Sequence, residues 1–293
     1  MNDYTTPLFP IYIPSKGRWK YGQTMKALDK MNVKYNIVVE RQEYDEYSRF
    51  FPRERLLILD ETFQDEYETL DFRGSSFSKG SGPARNFAMY HAKEHGFNWY
   101  WCLDDNIRCF SVHMKNRIYD FANGKFFRYM EEFVLRYTNI AMAGPQYEMF
   151  VPKECAKIPI TLNTTIFSCN LINIGAGVKW RGRYNEDAIL SLDMLTRGWC
   201  TVKFNDFLQQ KTATQTTPGG NTSEMYKNGT IDKSRLLFNT YPQFVKKIIK
   251  YGRPHHQINR KLFTQKLVKA SDYEERVQLG KQFALNLRDA RSE

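Results

Sequence analysis

The chain has 293 residues, of which 42% are hydrophobic and 26% charged, a balance typical of a globular protein with a sizeable core. Its formal net charge of +11 favours a polyanionic or phosphorylated partner. No apolar run approaches the roughly 20 residues of a membrane span, and no signal-peptide pattern opens the chain. Five widely spaced cysteines without a CxxC pair argue against structural zinc and for reduced thiols, so we expect a cytoplasmic protein with no membrane partner.

The first sixty residues alternate short apolar runs with a helical pattern. Residues 9–14 predict a first strand, 23–31 a helix with one apolar face, and 35–40 and 55–59 two further strands. Strands and helices that alternate at short intervals predict a parallel sheet with crossover helices.

A loop of small residues, 74–82, leads into a helix predicted to start near Pro83, because proline fits the first helical turn. The apolar run 99–103 then predicts a central strand that ends directly in Asp104-Asp105-Asn106. Ligands of open parallel sheets bind beyond the carboxyl ends of the strands, which is where these three side chains are placed.

The second half continues the α/β pattern. It predicts a helix over 126–141, a helix over 188–196, and strands at 141–144, 166–174 and 201–204. A loop rich in Thr, Gly and Ser, 212–229, precedes a tail that is helical in pattern and rich in Lys and Arg. The simplest division is one α/β catalytic domain, 1–230, with a basic helical C-terminal extension, 231–293.

Two acidic clusters are candidates for chemistry. Asp104-Asp105-Asn106 offers the oxygen ligands that Mg²⁺ and Mn²⁺ prefer, and such an ion stabilises a departing diphosphate. Asn185-Glu186-Asp187 opens a predicted helix, with Asp187 or Glu186 as a candidate general base. Both patterns also have structural explanations, since Asp and Asn favour turns and caps, and acids favour a first helical turn.

Further charged residues are candidates for binding a nucleotide. Lys79, in the loop before a predicted helix, resembles the cation of a phosphate cradle, although the loop matches neither a P-loop nor a GxGxxG motif. Arg18 follows the first predicted strand, within reach of a phosphate or base, and Glu40 ends the second, within reach of a base or ribose. Lys227, beyond the glycines at 219 and 220, is the cation of a predicted lid. Solvated loop charges would explain each of these residues equally well.

The ordered motifs resemble those of the TET-associated glycosyltransferases, a family found largely in bacteriophages and linked to DNA hypermodification. The resemblance covers roughly residues 8–230 and rests on IPSKGR (13–18), GPARN (82–86), WCLDDN (101–106), YNED (184–187) and TPGGN (217–221). It implies a Rossmann-like, GT-A type fold and a nucleotide-sugar donor, such as a UDP-sugar. It also implies a divalent cation, Mn²⁺ or Mg²⁺, and an acceptor hydroxyl such as that of 5-hydroxymethylcytosine in phage DNA. The chain would then work in the host cell cytoplasm.

The resemblance also implies roles for individual residues. Arg18, Arg85 and Asn86 would hold the nucleotide, and Asp104 would contact both the nucleotide sugar and the metal. Asn106 would complete the metal site, Asp105 would lie close to the sugar, and Asp187 near the acceptor. The metal motif ends here in Asn106 rather than in an acid, which predicts weak metal binding or a further ligand.

Two other functions remain open from the sequence. One is sugar transfer to a polysaccharide or protein, and the other is a DNA-binding module without catalysis. The basic tail and the lack of a membrane segment favour DNA over a surface polysaccharide. Acids at both the strand end and the helix start favour an enzyme. The density of Lys and Arg beyond residue 230 predicts a DNA-facing surface there.

Overall fold

The structure is a computed structural model, and it describes residues 4–71, 78–152, 154, 158–212, 231–250 and 252–289. The predicted lid cation Lys227 and the glycines at 219 and 220 lie outside these ranges, as does the loop segment 72–77. Within the described ranges, no helix is both long and apolar enough to cross a membrane.

The elements alternate along the chain as the sequence predicts. The strands are β1 Ile11–Pro14, β2 Asn36–Val39, β3 Leu56–Ile58, β4 Trp99–Leu103, β5 Ile107–Met114, β6 Arg117–Asp120, β7 Ile140–Tyr147, β8 Ile160–Leu162, β9 Cys169–Asn173, β10 Cys200–Lys211, β11 Val245–Lys250 and β12 Arg253–Ile258. The helices are α1 Gln23–Lys30, α2 Tyr44–Ser48, α3 Thr62–Asp65, α4 Gly82–Glu94, α5 Lys125–Val134, α6 Glu186–Thr196, α7 Ile231–Thr240 and α8 Tyr273–Asp289.

Ten strands form one sheet in the order β3-β2-β1-β4-β9-β7-β10-β5-β6, with β8 paired to β10. The strands β3, β2, β1 and β4 run parallel to one another, as do β7 and β10. The inserted strand β9 is antiparallel to both of its neighbours, and β5, β6 and β8 add further antiparallel pairs. The predicted Rossmann-like α/β class is confirmed. Its longest parallel run is β3-β2-β1-β4, and antiparallel strands make the whole a mixed sheet.

Helices cover both faces of the sheet, which explains the near-continuous apolar runs of the central strands. On one face, α1 and α5 pack on alternate strand residues that include Ile13 and Trp101. On the other face, α4 and α6 pack on the intervening residues, among them Tyr12 and Tyr100. All five residues of β4 are buried, so the residues that follow Leu103 leave a fixed, fully packed strand.

Two predicted elements differ clearly in extent from the observed ones, and one observed hairpin was not predicted. The predicted helix 126–141 ends at Val134, and β7 begins at Ile140 within the range predicted as helix. The predicted strand 201–204 continues as β10 to Lys211, because Phe207–Lys211 pairs with β5. The hairpin of β5 and β6 was not predicted, since its outer strand is exposed along its whole length and carries no apolar pattern.

The C-terminal extension contains a β-hairpin as well as helices, which corrects the expectation of a wholly helical tail. The strands β11 and β12 pair antiparallel from Val245 with Ile258 to the end of the hairpin. Gly252, at a φ of 70°, lies in the turn, and Pro254 in β12 is incompatible with a helix interior. The helix α7 shares an apolar core with α6, in which Leu236, Leu237 and Tyr241 meet the residues Tyr184, Ala188, Ile189, Leu192 and Leu195.

Candidate active site

The first acid after β4, Asp104, lies at the meeting point of three elements. Its Oδ1 accepts a hydrogen bond from Nη2 of Arg85, in the first turn of α4, at 2.5 Å. Its Oδ2 accepts one from Nζ of Lys211, the last residue of β10. Its backbone N–H donates to the carbonyl of Ser168 at 2.7 Å, which fixes the loop after β4 against the segment before β9. The sheet therefore brings a carboxylate and two cations together at one edge.

Arg85 is the hub of the site, with only 2% of its surface exposed. Its Nη1 donates to Oδ1 of Asp187 at 3.2 Å, and its Nη2 lies 3.7 Å from Oε1 of Glu186. The guanidinium lies over the indole ring of Trp180, 4.5 Å from the ring centroid. Buried arginine requires paired acceptors, and three carboxylates supply them here.

The second predicted acid, Asp187, is buried in the first turn of α6. Its Oδ1 also accepts from Nδ2 of Asn170, on β9, at 2.9 Å, and its Oδ2 accepts from the backbone N–H of Ser168 at 3.2 Å. Burial raises the pKa of Asp187 to about 6, against the opposing charge of Arg85. Burial also acts on Asp104, but Lys211 and Arg85 outweigh it and hold the pKa of Asp104 well below its usual range. Two neighbouring carboxyl groups with pKa values pushed apart are typical of acid–base sites.

Glu186 and Asn185, the two residues before Asp187, make different contacts. Oε1 of Glu186 accepts from the hydroxyl of Ser81 at 3.1 Å, and its side chain is more exposed than that of Asp187, at 24% against 12%. Asn185 occupies the N-cap position with a φ of 57°, but its side chain makes no cap hydrogen bond. Its Nδ2 donates instead to the carbonyl of Lys233 at 2.7 Å, which ties α6 to α7.

Asp105, the predicted neighbour of the sugar, has its carboxylate turned toward the loop after β1. Its Oδ1 pairs with Arg18 and its Oδ2 accepts from the hydroxyl of Ser15 at 2.8 Å. The hydroxyl of Tyr47 contacts Ser15 at 2.7 Å, and the carbonyl of Asp105 accepts from the N–H groups that open α1. Burial raises the pKa of Asp105, with Arg18 opposing. The pair of Asp105 and Arg18 holds the loop after β1 beside the site.

The structure places Glu40 in a surface cavity at the carboxyl ends of β2 and β3, and Lys79 contacts a residue of its lining. The cavity is lined by Glu40, Arg41, Gln42, Leu59, Glu61, Gln64 and Asp65. Nζ of Lys79 donates to the carbonyl of Gln64 at its margin, and Nζ of Lys16 lies 3.1 Å from Oε1 of Glu40. Carboxylate and amide groups at the end of a second strand are the partners that ribose hydroxyls use in nucleotide-binding folds.

Asn86 uses both of its polar groups on the backbone of Trp180. Its Nδ2 donates to the Trp180 carbonyl at 2.9 Å, and its Oδ1 accepts from the Trp180 N–H at 2.8 Å. These contacts hold the indole under Arg85. Asn86 is therefore placed to position the guanidinium, and a direct contact with the nucleotide stays a prediction.

The predicted metal ligands, Asp104 and Asn106, do not fit a bridging divalent cation as they are arranged. Both oxygens of Asp104 already contact cationic side chains, Arg85 and Lys211. Asn106 donates from Nδ2 to the carbonyl of Thr212 at 3.4 Å, while its buried Oδ1 has no hydrogen-bond partner among the residues that the structure describes. Among the described residues, no group of three or more His, Cys, Asp or Glu side chains is arranged to hold a metal ion. The metal cofactor stays a prediction, and no step below depends on it.

Three polar residues of the site were not predicted from the sequence. Lys211 ends a strand whose C-terminal half has no apolar alternation, and Ser168 is a lone hydroxyl before β9. Asn170 left a signal, because it interrupts an apolar run at a position that the structure buries completely. A buried amide needs partners, and this interruption therefore pointed to a polar neighbour such as Asp187.

Comparisons with known proteins identify the family of the chain. A search of curated proteins found no match to the chain. The family model of TAGT, the TET-Associated Glycosyltransferase, matches residues 9–220, which contain Arg85, Asp104, Asp187 and Lys211. The match spans well over half of the chain and includes both acids around the central arginine. The chain therefore belongs to the TET-associated glycosyltransferase family and is an enzyme that transfers a sugar.

Proposed function

We propose that the enzyme transfers a sugar from a nucleotide-sugar donor, a UDP-sugar, to the hydroxymethyl group of 5-hydroxymethylcytosine in DNA. One observation carries the proposal: the helix that bears Asp187 is joined directly to a basic segment without acids. The carboxyl groups supply the transfer chemistry, and the basic segment supplies a surface for a polyanionic acceptor.

The basic segment comprises residues 233–271. It contains ten lysine and arginine residues and no aspartate or glutamate, so it accounts for most of the net charge of +11. Burial beside other cations lowers the pKa of His256 to about 4, with Lys233 and His255 contributing. Because the segment has no acidic residues of its own to balance this positive charge, a phosphate backbone is the partner that its charge fits.

The connection between the segment and the site is short. Asn185, two residues before Asp187 in the chain, donates a hydrogen bond from its Nδ2 to the carbonyl of Lys233 at 2.7 Å. Asn163 fastens a second point of the segment, because its Nδ2 donates to the carbonyls of Phe263 and Gln265 at 3.1 and 2.9 Å. A duplex that lies on the segment is thus held beside the helix that carries the acid.

The reaction needs a base for the acceptor hydroxyl and positive charge for the departing diphosphate, and the site around Arg85 contains both. The acceptor hydroxyl gives its proton to Asp187 as its oxygen bonds to the anomeric carbon of the donor. The bond from that carbon to the diphosphate breaks, and its electron pair leaves with the phosphate oxygen. Positive charge aimed at that oxygen lowers the barrier, since negative charge develops there in the transition state. The acidic and amide lining of the cavity at Glu40 supports a place for the nucleoside.

The test is mass spectrometry of nucleosides from duplex DNA incubated with the enzyme and a panel of nucleotide sugars. We expect a hexose or pentose on 5-hydroxymethylcytosine, and none on an unmodified duplex of the same sequence. The Asp187→Asn variant is the enzyme control and should form product about 10²- to 10⁴-fold more slowly. Sugar found on a protein or polysaccharide acceptor, with hydroxymethylated DNA left unchanged, would overturn the acceptor assignment.

A further inference from the structure

The ammonium of Lys211 occupies a position on Asp104 that no motif of the sequence predicted. Lys211 lies 107 residues from Asp104 in the chain, at the end of β10. Its side chain is only 16% exposed. Its Nζ donates to Oδ2 of Asp104, the oxygen opposite the one that Arg85 contacts.

A second acceptor orients the ammonium. Nζ of Lys211 donates to the hydroxyl of Ser168 at 2.8 Å, and that hydroxyl also contacts the hydroxyl of Tyr147 at 2.6 Å. A lysine ammonium carries three N–H donors. Within the described ranges, Asp104 and Ser168 accept two of them, so the third is available to a ligand.

The group stays charged despite its burial. Its ion pair with Asp104 and its hydrogen bond to the hydroxyl of Ser168 compensate the burial of the ammonium. The ammonium of Lys211 therefore keeps a fixed positive charge beside Oδ2 of Asp104.

A divalent ion at this acid would be held by carboxylate oxygens and would supply positive charge to the departing diphosphate. Lys211 already places a positive charge against Oδ2 of Asp104, and its remaining N–H is a phosphate donor of the kind that lysine supplies in other nucleotide sites. Arg85 is less accessible for this task, because only 2% of its surface is exposed and each of its three nitrogens already donates to Ser81, Asp187 or Asp104.

We propose that Lys211 binds the diphosphate of the donor and neutralises the leaving group in place of a divalent cation. The inference rests on the donor half of the proposed function and is independent of the acceptor. It assigns Lys211 as a binding residue for a nucleoside diphosphate.

The test is calorimetric titration of the intact enzyme with UDP, without DNA and without turnover, in the presence of EDTA. We expect the wild type to bind UDP with the same affinity in EDTA and in excess Mn²⁺. Lys211→Met keeps the apolar stem but removes the charge, and should weaken binding by roughly 10- to 100-fold, the range for one charge-assisted hydrogen bond. Lys211→Arg should retain most of the affinity.

Lys203→Met is the matched control. Lys203 lies on the same strand, is partly buried, and has its pKa lowered by burial and by the nearby Arg260. It should bind UDP like the wild type. Thermal melting of each variant shows whether it is folded.

Mn²⁺ provides a second, opposite readout. Removing the ammonium frees Oδ2 of Asp104, so Mn²⁺ should restore part of the UDP affinity in Lys211→Met and change the wild type little. Wild-type binding that disappears in EDTA would overturn the inference, and so would equal affinity in wild type and folded Lys211→Met. Both results are read without an acceptor, so a failure of transfer to DNA leaves this inference standing.

Discussion

The pH dependence of sugar transfer gives a direct test of Asp187 as the base. Burial raises the pKa of this carboxyl to about 6, so it holds its proton at acid pH and is ionised above neutrality. Only the ionised form accepts the proton of an acceptor hydroxyl. At pH 5, one unit below the pKa, roughly one molecule in ten is ionised. We therefore expect the transfer rate to fall about tenfold between pH 7.5 and pH 5, with a plateau above pH 7.

The variant Asp187→Asn removes the base at nearly constant shape. Its amide oxygen can still accept from Arg85 and Asn170, which donate to Oδ1 in the wild type. The loss of a general base costs about 10²- to 10⁴-fold in rate, and the residual rate should lose the step near pH 6. Since Asp104 and Asp187 share Arg85, the observed step belongs to the coupled pair, and its midpoint will move if Asp104 is changed.

The assay is the initial rate of sugar transfer to hydroxymethylated duplex from pH 4.5 to 8.5, at saturating donor and acceptor. Glu186→Gln is the parallel variant, because Glu186 lies in the same helical turn and contacts the same arginine. It should keep most of the rate and a pH step, and the step should move to lower pH because the charge of Glu186 contributes to the raised pKa of Asp187. An Asp187→Asn variant that retains wild-type rate and the same pH step would refute the assignment, and loss of the step in Glu186→Gln would transfer it to Glu186.

Three further predictions concern Asp104, the buried Glu131 and Lys246 of the C-terminal hairpin. Asp104→Ala should abolish transfer but leave duplex affinity measured by fluorescence anisotropy nearly unchanged, and transfer that survives the change would show that the site is misassigned. Burial raises the pKa of Glu131, which accepts hydrogen bonds from Trp101 and the N–H groups of Leu8 and Phe9, from its ordinary 4.5 to about 7. Because the pKa is higher in the folded state, the proton on Glu131 stabilises the fold fully below pH 4.5, and this stabilisation is lost as the pH rises to 7. The free energy of unfolding measured in urea should therefore fall by about 3 kcal/mol between pH 4.5 and pH 7, and Glu131→Gln should remove this fall. Lys246→Gln, on the hairpin, should weaken duplex binding and reduce its log–log salt slope by about 1, with UDP binding unaffected; an unchanged slope would remove Lys246 from the DNA surface.

The parallel half of the fold was predictable because its strands are buried on both faces. Such strands read as continuous apolar runs, and Asp104-Asp105-Asn106 could be placed at the end of one of them. Which acid faces which side could not be read from the sequence, since the regular alternation of side chains ends with the strand at Leu103 and both acids follow it. Asp104 faces Arg85 and Lys211, whereas Asp105 faces Arg18 and the loop before α1.

The metal prediction shows the same limit. Spacing indicated oxygen ligands at Asp104 and Asn106, but the ammonium that meets Asp104 comes from the end of β10, which sequence patterns ended at residue 204. The tail was likewise predicted as helical from its apolar spacing. Tertiary pairing of β11 with β12 overrides that local pattern, and Pro254 limits the alternative.

The core shared by α6 and α7 has a practical consequence for how the chain can be divided. A chain cut after residue 230 would keep every residue around Arg85. It would also uncover the apolar side of α6 that Leu236, Leu237 and Tyr241 now cover. An exposed patch of that kind promotes aggregation, and Asn185 would lose its acceptor on Lys233. A shortened enzyme that is inactive or insoluble would thus report on the missing support beneath the first turn of α6, and assays of DNA affinity are better made with point substitutions in the intact chain.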